Sequence, residues 1–155
     1  MATENIIVRK PLPMEASFIK QLMDVHTESG LLLERNVDEI KSSIDTFLVA
    51  EAKEKIIGVV SGFDYGNGLF EVRSLVVDEN YGKQGTGSLL VRQLIGSLKK
   101  KGAKKIFALS YSPEFFRKNG FYAVDKQTLP EKIWKDCRLC KNQETCGETA
   151  LVYLD

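Results

Sequence analysis

The spacing of apolar residues changes several times along the chain, and each change marks an element. Ile6, Ile7 and Val8 form a short apolar run that ends before Pro11 and Pro13, as a strand does at a turn. Phe18, Ile19, Leu22, Met23 and Val25 recur on one helical face and predict an amphipathic first helix, stopped by Gly30. Asn36, with Glu39 three positions on, has the form of an N-cap and its reciprocal partner, opening a second helix through Val37, Ile40 and Ile44. Residues 47–50, 56–63 and 69–77 then read as three successive strands. Polar residues 51–55 turn the first pair, and Gly66-Asn67-Gly68, which tolerates positive φ, turns the second.

After a glycine-rich stretch at 82–87, Leu90, Val91, Leu94, Ile95 and Leu98 mark the buried stripe of a third helix. Lys99, Lys100 and Lys101 sit where cations favour its dipole, and Gly102 follows as the C-cap. Residues 105–109 read as a strand, 114–119 as a short helix ending at Gly120, 121–124 as a strand, 129–136 as a helix and 150–154 as a last strand. A meander followed by strand–helix–strand predicts an α/β (α+β) protein, with a mixed, mostly antiparallel central sheet flanked by helices.

No repeat, low-complexity tract or Pro/Gly-rich linker breaks this pattern, so residues 1–155 read as a single domain, long enough for one core. Lys and Arg number 22 against 21 Asp and Glu, and the net charge of +1 argues against a nucleic-acid partner. No apolar run approaches the roughly 18 residues of a membrane span, and the start, Met-Ala-Thr-Glu-Asn, has no signal-peptide pattern. The expectation is a cytoplasmic protein with no membrane partner; a homodimer stays open.

The three cysteines lie close together near the C-terminus, which is not a secreted disulfide framework. Cys137, Cys140 and Cys146 offer three thiolates where a structural zinc takes four ligands. Reduced thiols packing a C-terminal loop is the favoured reading, with no metal required; a zinc completed by another ligand is the minority one. His26, the only histidine, suits a structural place on the first helix better than a metal site or a catalytic one.

The stretch that carries most chemistry is Leu75-Val76-Val77 followed by Gly82-Lys83-Gln84-Gly85-Thr86-Gly87-Ser88. A buried strand runs into a loop of small residues and then into a helix N-terminus, where backbone N–H groups and the dipole favour an anion. The loop lacks the Gly-Lys-Ser/Thr ending of a Walker loop and the Gly-x-Gly-x-x-Gly spacing of a dinucleotide site. A glycine-rich turn without a ligand is the bland alternative; the flanking strand and helix favour a phosphate cradle.

This stretch resembles the acetyl-CoA loop of the GNAT acetyltransferase family, Arg/Gln-x-x-Gly-x-Gly/Ala, with Gly85 and Gly87 on its glycines and Gly82 where Arg or Gln is usual. Phe115-Phe116-Arg117-Lys118-Asn119-Gly120-Phe121 is similar to the family's Phe-Tyr-x-x-x-Gly-Phe ending. Several separated segments look more narrowly like the short, stand-alone form of N-acetylglutamate synthase: 30–35, 71–77, 112–116, 124–126 with Leu129-Pro130, and Trp134-Lys135-Asp136-Cys137 with Cys140 and Cys146. The resemblance covers nearly the whole chain. It implies a GNAT-like fold, acetyl-CoA as cosubstrate, direct transfer to the α-amine of glutamate, and a place in arginine biosynthesis. It also implies that Leu75, Val76, Val77, residues 82–88 (Gly82, Lys83, Gln84, Gly85, Thr86, Gly87, Ser88) and Phe116 bind the cosubstrate.

Acetyl transfer to an amine needs a base for the ammonium proton, a polarised thioester carbonyl and a way for the thiolate to leave. Side chains alternate along a strand, so Glu71, Arg73 and Leu75 are expected on one face, with Glu71 as candidate base. A solvent-facing Glu71–Arg73 pair is the plain alternative. The resemblance further implies that the backbone N–H of Val76 or Val77 polarises the carbonyl, as the family's splayed fourth strand does. Phe116 stands where the family often has a Tyr that protonates the thiolate, which leaves Ser110, Tyr111 or Ser112 for that role. Arg35 and Arg73 suit the carboxylates of an amino-acid acceptor. Two alternatives remain at this level. One is a different amine (protein, polyamine or small molecule), and the other is a non-catalytic acyl-CoA-binding module.

Overall fold

The computed structural model describes residues 6–28, 36–78, 85–110, 112–125 and 149–153. Its elements, in order, are β1 (Ile7–Arg9), α1 (Ala16–Glu28), α2 (Val37–Ser42), β2 (Phe47–Ala52), β3 (Lys55–Gly66), β4 (Leu69–Val77), α3 (Thr86–Lys100), β5 (Lys105–Ser110), α4 (Pro113–Lys118), β6 (Phe121–Val124) and β7 (Thr149–Tyr153). The order β1-β2-β3-β4-β5-β7-β6 makes one seven-stranded sheet. Neighbours pair antiparallel except β4 and β5, which are parallel because α3 carries the chain across between them. The mixed, mostly antiparallel sheet with helices on its faces is the architecture expected from the sequence.

Each face has its own core. Leu90, Val91, Leu94, Ile95 and Leu98 of α3 pack with Phe116 of α4 on Phe70, Val72, Ile57 and Val60. On the other face, Ala16, Ile19 and Met23 of α1 and Ile40 of α2 pack on Phe47, Val49, Val59 and Val76. Further along that second face, Phe107, Ala150 and Val152 form a smaller cluster with Tyr65 and Leu69 at its margin.

Local chemistry sets the boundaries. Asn36 accepts a bond from the Glu39 amide at 2.8 Å and its side-chain amide donates to the Glu39 carboxylate at 2.9 Å, so the cap and its partner hold each other. The sequence carried this helix through Ile44, but α2 stops at Ser42 and Ile44 opens a separate 3₁₀ turn, Ile44–Thr46. The hydroxyls of Ser42 and Ser43 both donate to the Glu39 carbonyl at 2.9 Å, competing with the helical ladder at that point. The C-terminus of α3 closes by bonds from Gly102 N–H to the Lys99 carbonyl and from Ala103 N–H to the Leu98 carbonyl, both 3.0 Å, with Gly102 at φ +91°. The turn between β3 and β4 is a tight hairpin, with positive φ at Gly66, Asn67 and Gly68. The helix expected at 129–136 lies outside the described residues.

Arg9 pins the edge strand to the start of α1. Its guanidinium meets Glu15 through two bonds of 2.8 Å, and Glu51 of β2 through Nη2 at 2.9 Å; the Leu12 amide donates to Glu15 at 2.8 Å. The Arg9 bonds hold the Glu15 carboxyl down at about 2. A carboxyl depressed in the folded state stabilises above its unfolded pKa and loses that contribution as pH falls toward 2. Glu15→Gln should therefore cost about 1 kcal/mol at neutral pH, the scale left after solvent screening. Urea melts from pH 7 downward should show the gap to wild type narrowing below about pH 4. A gap independent of pH would mean the carboxylate charge is not what holds this corner.

Candidate active site

The site begins with an irregularity in β4. Val76 pairs with Val59 and Arg73 with Ser61, so Ser74 and Leu75 together oppose Val60, and Ser74 sits at φ +57°. This is a β-bulge, and it exchanges the two faces of the strand. Before it, Phe70 and Val72 point to the α3 side; after it, Leu75 and Val77 do, while Val76 joins the α1 side. The expectation that Glu71, Arg73 and Leu75 share one face is thus corrected. Glu71 and Arg73 share the face opposite α3, and Leu75 lies on the other.

The bulge coincides with a split in the sheet. β4 pairs with β5 only from Leu69 with Lys105 to Val72 with Ala108. Beyond that point β5 continues against β7 and β4 against β3. Between them the β5-facing edge of β4, through Leu75, Val76 and Val77, is open among the described residues to a ligand's amide or carbonyl groups.

At the end of this split stands the first turn of α3. Gly85 is its N-cap residue at φ +78°, a conformation that favours glycine, and a Cβ there would meet nothing within 4 Å among the described residues. Gly87 is glycine for another reason, since a Cβ would come within 3.2 Å of the Phe115 ring. Thr86 is fully buried, and Ser88 accepts a bond from Asn119 at 3.2 Å, tying α4 to this turn. The turn's leading N–H groups point out of the helix end, where an anion is favoured. Gly82, Lys83 and Gln84 lie outside the described residues.

Across the sheet, Glu71 is only 7% exposed. Its Oε1 accepts from Arg73 Nε at 2.7 Å and from the Tyr65 hydroxyl at 2.9 Å, and Arg73 Nη2 donates to the Tyr65 oxygen at 2.5 Å. The guanidinium carbon lies 4.1 Å from the Phe63 ring centre and 5.5 Å from that of Tyr65. Burial works against the charge of Arg73, and the adjacent Glu71 more than offsets it, so its pKa is raised. Burial, reinforced by the Glu71 charge, pushes the Tyr65 phenol up to about 12.

The structure therefore brings Glu71 and Arg73 together as a half-enclosed pair, not as a solvent-facing one. Ser110 ends β5, and its hydroxyl oxygen accepts from the Ser112 amide at 2.8 Å. Phe116, 6% exposed, is packed edge-on between Phe115 and Phe121 in the α3-side core. Arg35 and Tyr111 lie outside the described residues, as do Cys137, Cys140 and Cys146. Among the described residues, no group of three or more His, Cys, Asp or Glu is placed to hold a metal ion, and no helix is long and apolar enough to cross a membrane.

Tyr65 is the residue sequence reasoning missed, because it ended the third strand at 63 whereas β3 runs to Gly66. A regular count from the turn does not find it: Gly66 pairs with Leu69 but Asp64 with Phe70 and Phe63 with Glu71, so Tyr65 is an extra residue of β3 at a second bulge.

Residues 43–123 match the family model described as the acetyltransferase (GNAT) domain. The chain is 33% identical over 152 residues to an uncharacterised N-acetyltransferase from Chlorobaculum tepidum, covering 98% of each. It is 26% identical over 136 residues to the amino-acid acetyltransferase of Mycobacterium tuberculosis, covering 85% of this chain and 78% of that one. Among solved structures, N-acetylglutamate synthase from Neisseria gonorrhoeae, complexed with coenzyme A and N-acetyl-glutamate, matches at TM-score 0.86 and 23% identity. That match covers 98% of this chain but only 35% of the Neisseria chain. At that identity the likeness speaks for the fold. The domain match spans more than half of the sequence and the Chlorobaculum relative nearly all of it, so the chain belongs to the GNAT acetyltransferase family and is an acetyl-CoA-dependent N-acetyltransferase.

Proposed function

We propose that the protein transfers the acetyl group of acetyl-CoA directly to the α-amine of an amino acid, and that the acceptor is glutamate. The observation that carries the reading is Glu71, a buried carboxylate clamped by Arg73 and Tyr65 on the strand that borders the split between β4 and β5. The first turn of α3 takes the pyrophosphate, and the open edge of β4 takes the pantetheine arm. A backbone N–H of Val76 or Val77 polarises the thioester carbonyl.

The acceptor arrives as an ammonium, which cannot attack. Glu71 takes one proton and the neutral amine forms a bond to the carbonyl carbon; as the C–S bond breaks, the nitrogen's second proton is lost to water or passes, through Ser110 or Tyr111, to the departing sulfur. CoA leaves as thiolate or, with a proton from Ser110 or Tyr111, as thiol. With both substrates bound together no enzyme nucleophile is needed, which leaves the three cysteines outside the chemistry. Arg73 spends Nε on Glu71 and Nη2 on Tyr65, and among the described residues Nη1 has no partner, so that nitrogen is offered to a substrate carboxylate. Arg35 would take the second carboxylate. The choice of glutamate is supported by the sequence segments shared with N-acetylglutamate synthase and by relatives named amino-acid acetyltransferase.

Glu71→Gln should lower turnover by about 10²–10⁴-fold with acetyl-CoA affinity nearly unchanged, and raising the pH should recover part of the loss. The substitution leaves the Arg73 guanidinium without its counter-charge, so melting is recorded beside the kinetics to count only folded protein. Full turnover at neutral pH would place the base elsewhere. Arg35→Ala should raise KM for glutamate and matter far less for a monocarboxylic amino acid; a preference for lysine or spermidine in the wild type would overturn the acceptor. Acetyl-CoA should raise the melting temperature of the wild type but not of Gly85→Val, whose β-branched side chain cannot adopt φ +78° without strain. No shift in the wild type would remove the phosphate cradle from the argument.

A further inference from the structure

We propose that Tyr65 is a positioning residue for the base, aiming the Glu71 carboxylate and keeping it ionised. The inference rests on Glu71 being that base. The three polar groups form a closed triangle. Arg73 donates to Tyr65 through Nη2 at 2.5 Å and to Glu71 Oε1 through Nε at 2.7 Å, and Tyr65 donates to the same Oε1 at 2.9 Å.

The proton arrangement follows from the donor inventory. A guanidinium has no acceptor, so on the Arg73 side the phenol oxygen accepts, and its own proton is directed to Glu71. The phenol keeps that proton throughout the neutral range, because burial and the adjacent carboxylate push its pKa up to about 12. Both donors converge on Oε1 and spend its lone pairs. Because its accepting side is turned to Arg73, the phenol holds the carboxylate in place and does not relay a proton onward.

The ring is itself held. It meets Phe63 edge-on at 4.7 Å between centres and lies tilted against Phe107 at 5.7 Å. Tyr65 from β3, Arg73 from β4 and the uncharged Phe107 from β5, the register partner of Glu71, thus surround the carboxylate on three strands. A hydroxyl fixed in this way limits the rotation of a glutamate side chain that would otherwise sample several rotamers, and each donor to the charged form favours ionisation.

The test is a kinetic cycle on the intact protein with acetyl-CoA and glutamate. Tyr65→Phe keeps the ring and removes the donor. It should lower kcat about tenfold, leave the Kd of acetyl-CoA unchanged, and move the acid limb of the kcat–pH profile to higher pH by about half to one unit. Combined with Glu71→Gln, the same change should cost less than about twofold, since the group it acts through is gone. Site-specific 3-fluorotyrosine at position 65, nearly the same size and a stronger donor, should move the acid limb to lower pH, and it serves if the phenylalanine variant does not fold. If Glu71→Gln alone leaves turnover intact, the base assignment fails and Tyr65 with it. If Glu71→Gln abolishes turnover while neither Tyr65 replacement moves kcat or the acid limb, the base stands and the role of Tyr65 is overturned. An equal loss from Tyr65→Phe in both backgrounds overturns it too.

Discussion

The bulge at Ser74 is the constraint on which the rest of the site depends. A regular strand keeps one set of side chains on each face, so a nine-residue β4 without a bulge would put either the polar pair or the core residues on the wrong side. With the extra residue, Glu71 and Arg73 occupy the face that Val76 shares further along, while Phe70, Val72, Leu75 and Val77 all reach the α3 core. The same residue coincides with the end of the parallel ladder at Val72, where β5 turns to β7 alone. A serine at φ +57° costs about 1–3 kcal/mol, a cost the packed strands on either side must offset. One backbone irregularity thereby sorts the core, opens the sheet and aims the acidic side chain.

Placing a charged pair in this position has its own energetics. A carboxylate with 7% exposure cannot stand alone, and a buried ion pair is retained only when its hydrogen bonds are nearly complete. Arg73 supplies the charge and Tyr65 the third bond, while the Phe63 ring lies against the guanidinium and the Phe107 ring against Tyr65. The triangle as a whole is neutral but strongly dipolar. That suits the head of an amino acid, whose ammonium would be drawn to the carboxylate end and whose carboxylate would be drawn to the guanidinium end. A polyamine, which brings only positive charge, has no carboxylate to offer the guanidinium end.

Much of this was legible because it depends on local rules. The limits 69–77 for β4, the stripe of Leu90, Leu94 and Leu98, the Asn36 cap and the Gly66-Asn67-Gly68 hairpin all follow from periodicity and turn chemistry. What escaped depends on register between strands. The bulge is invisible in sequence because Ser74 is neither glycine nor asparagine, and its φ is imposed by the sheet. Leu75 was therefore assigned to the wrong face. Tyr65 was lost with the last residues of β3, where Asp64, whose carboxylate accepts from the Gly66 amide at 2.7 Å, reads as a turn residue although it still lies in the strand.

The glycines of the α3 loop show why a motif needs a structure to be weighed. Gly87 is accounted for by packing alone, since a Cβ there would press on Phe115 with or without a ligand. Taken by itself it says nothing about phosphate. Gly85 differs, because its Cβ position is open among the described residues and only its φ demands glycine. A residue in that conformation turns its backbone so that the N–H groups of the next turn face outward together, which is the arrangement an anion needs. Of the two glycines that mark the family's loop, one maintains the contact between α3 and α4, and the other shapes the end of the helix where a phosphate would sit. Substitutions at the two should therefore differ in kind, with Gly87 reporting on fold stability and Gly85 on cosubstrate binding.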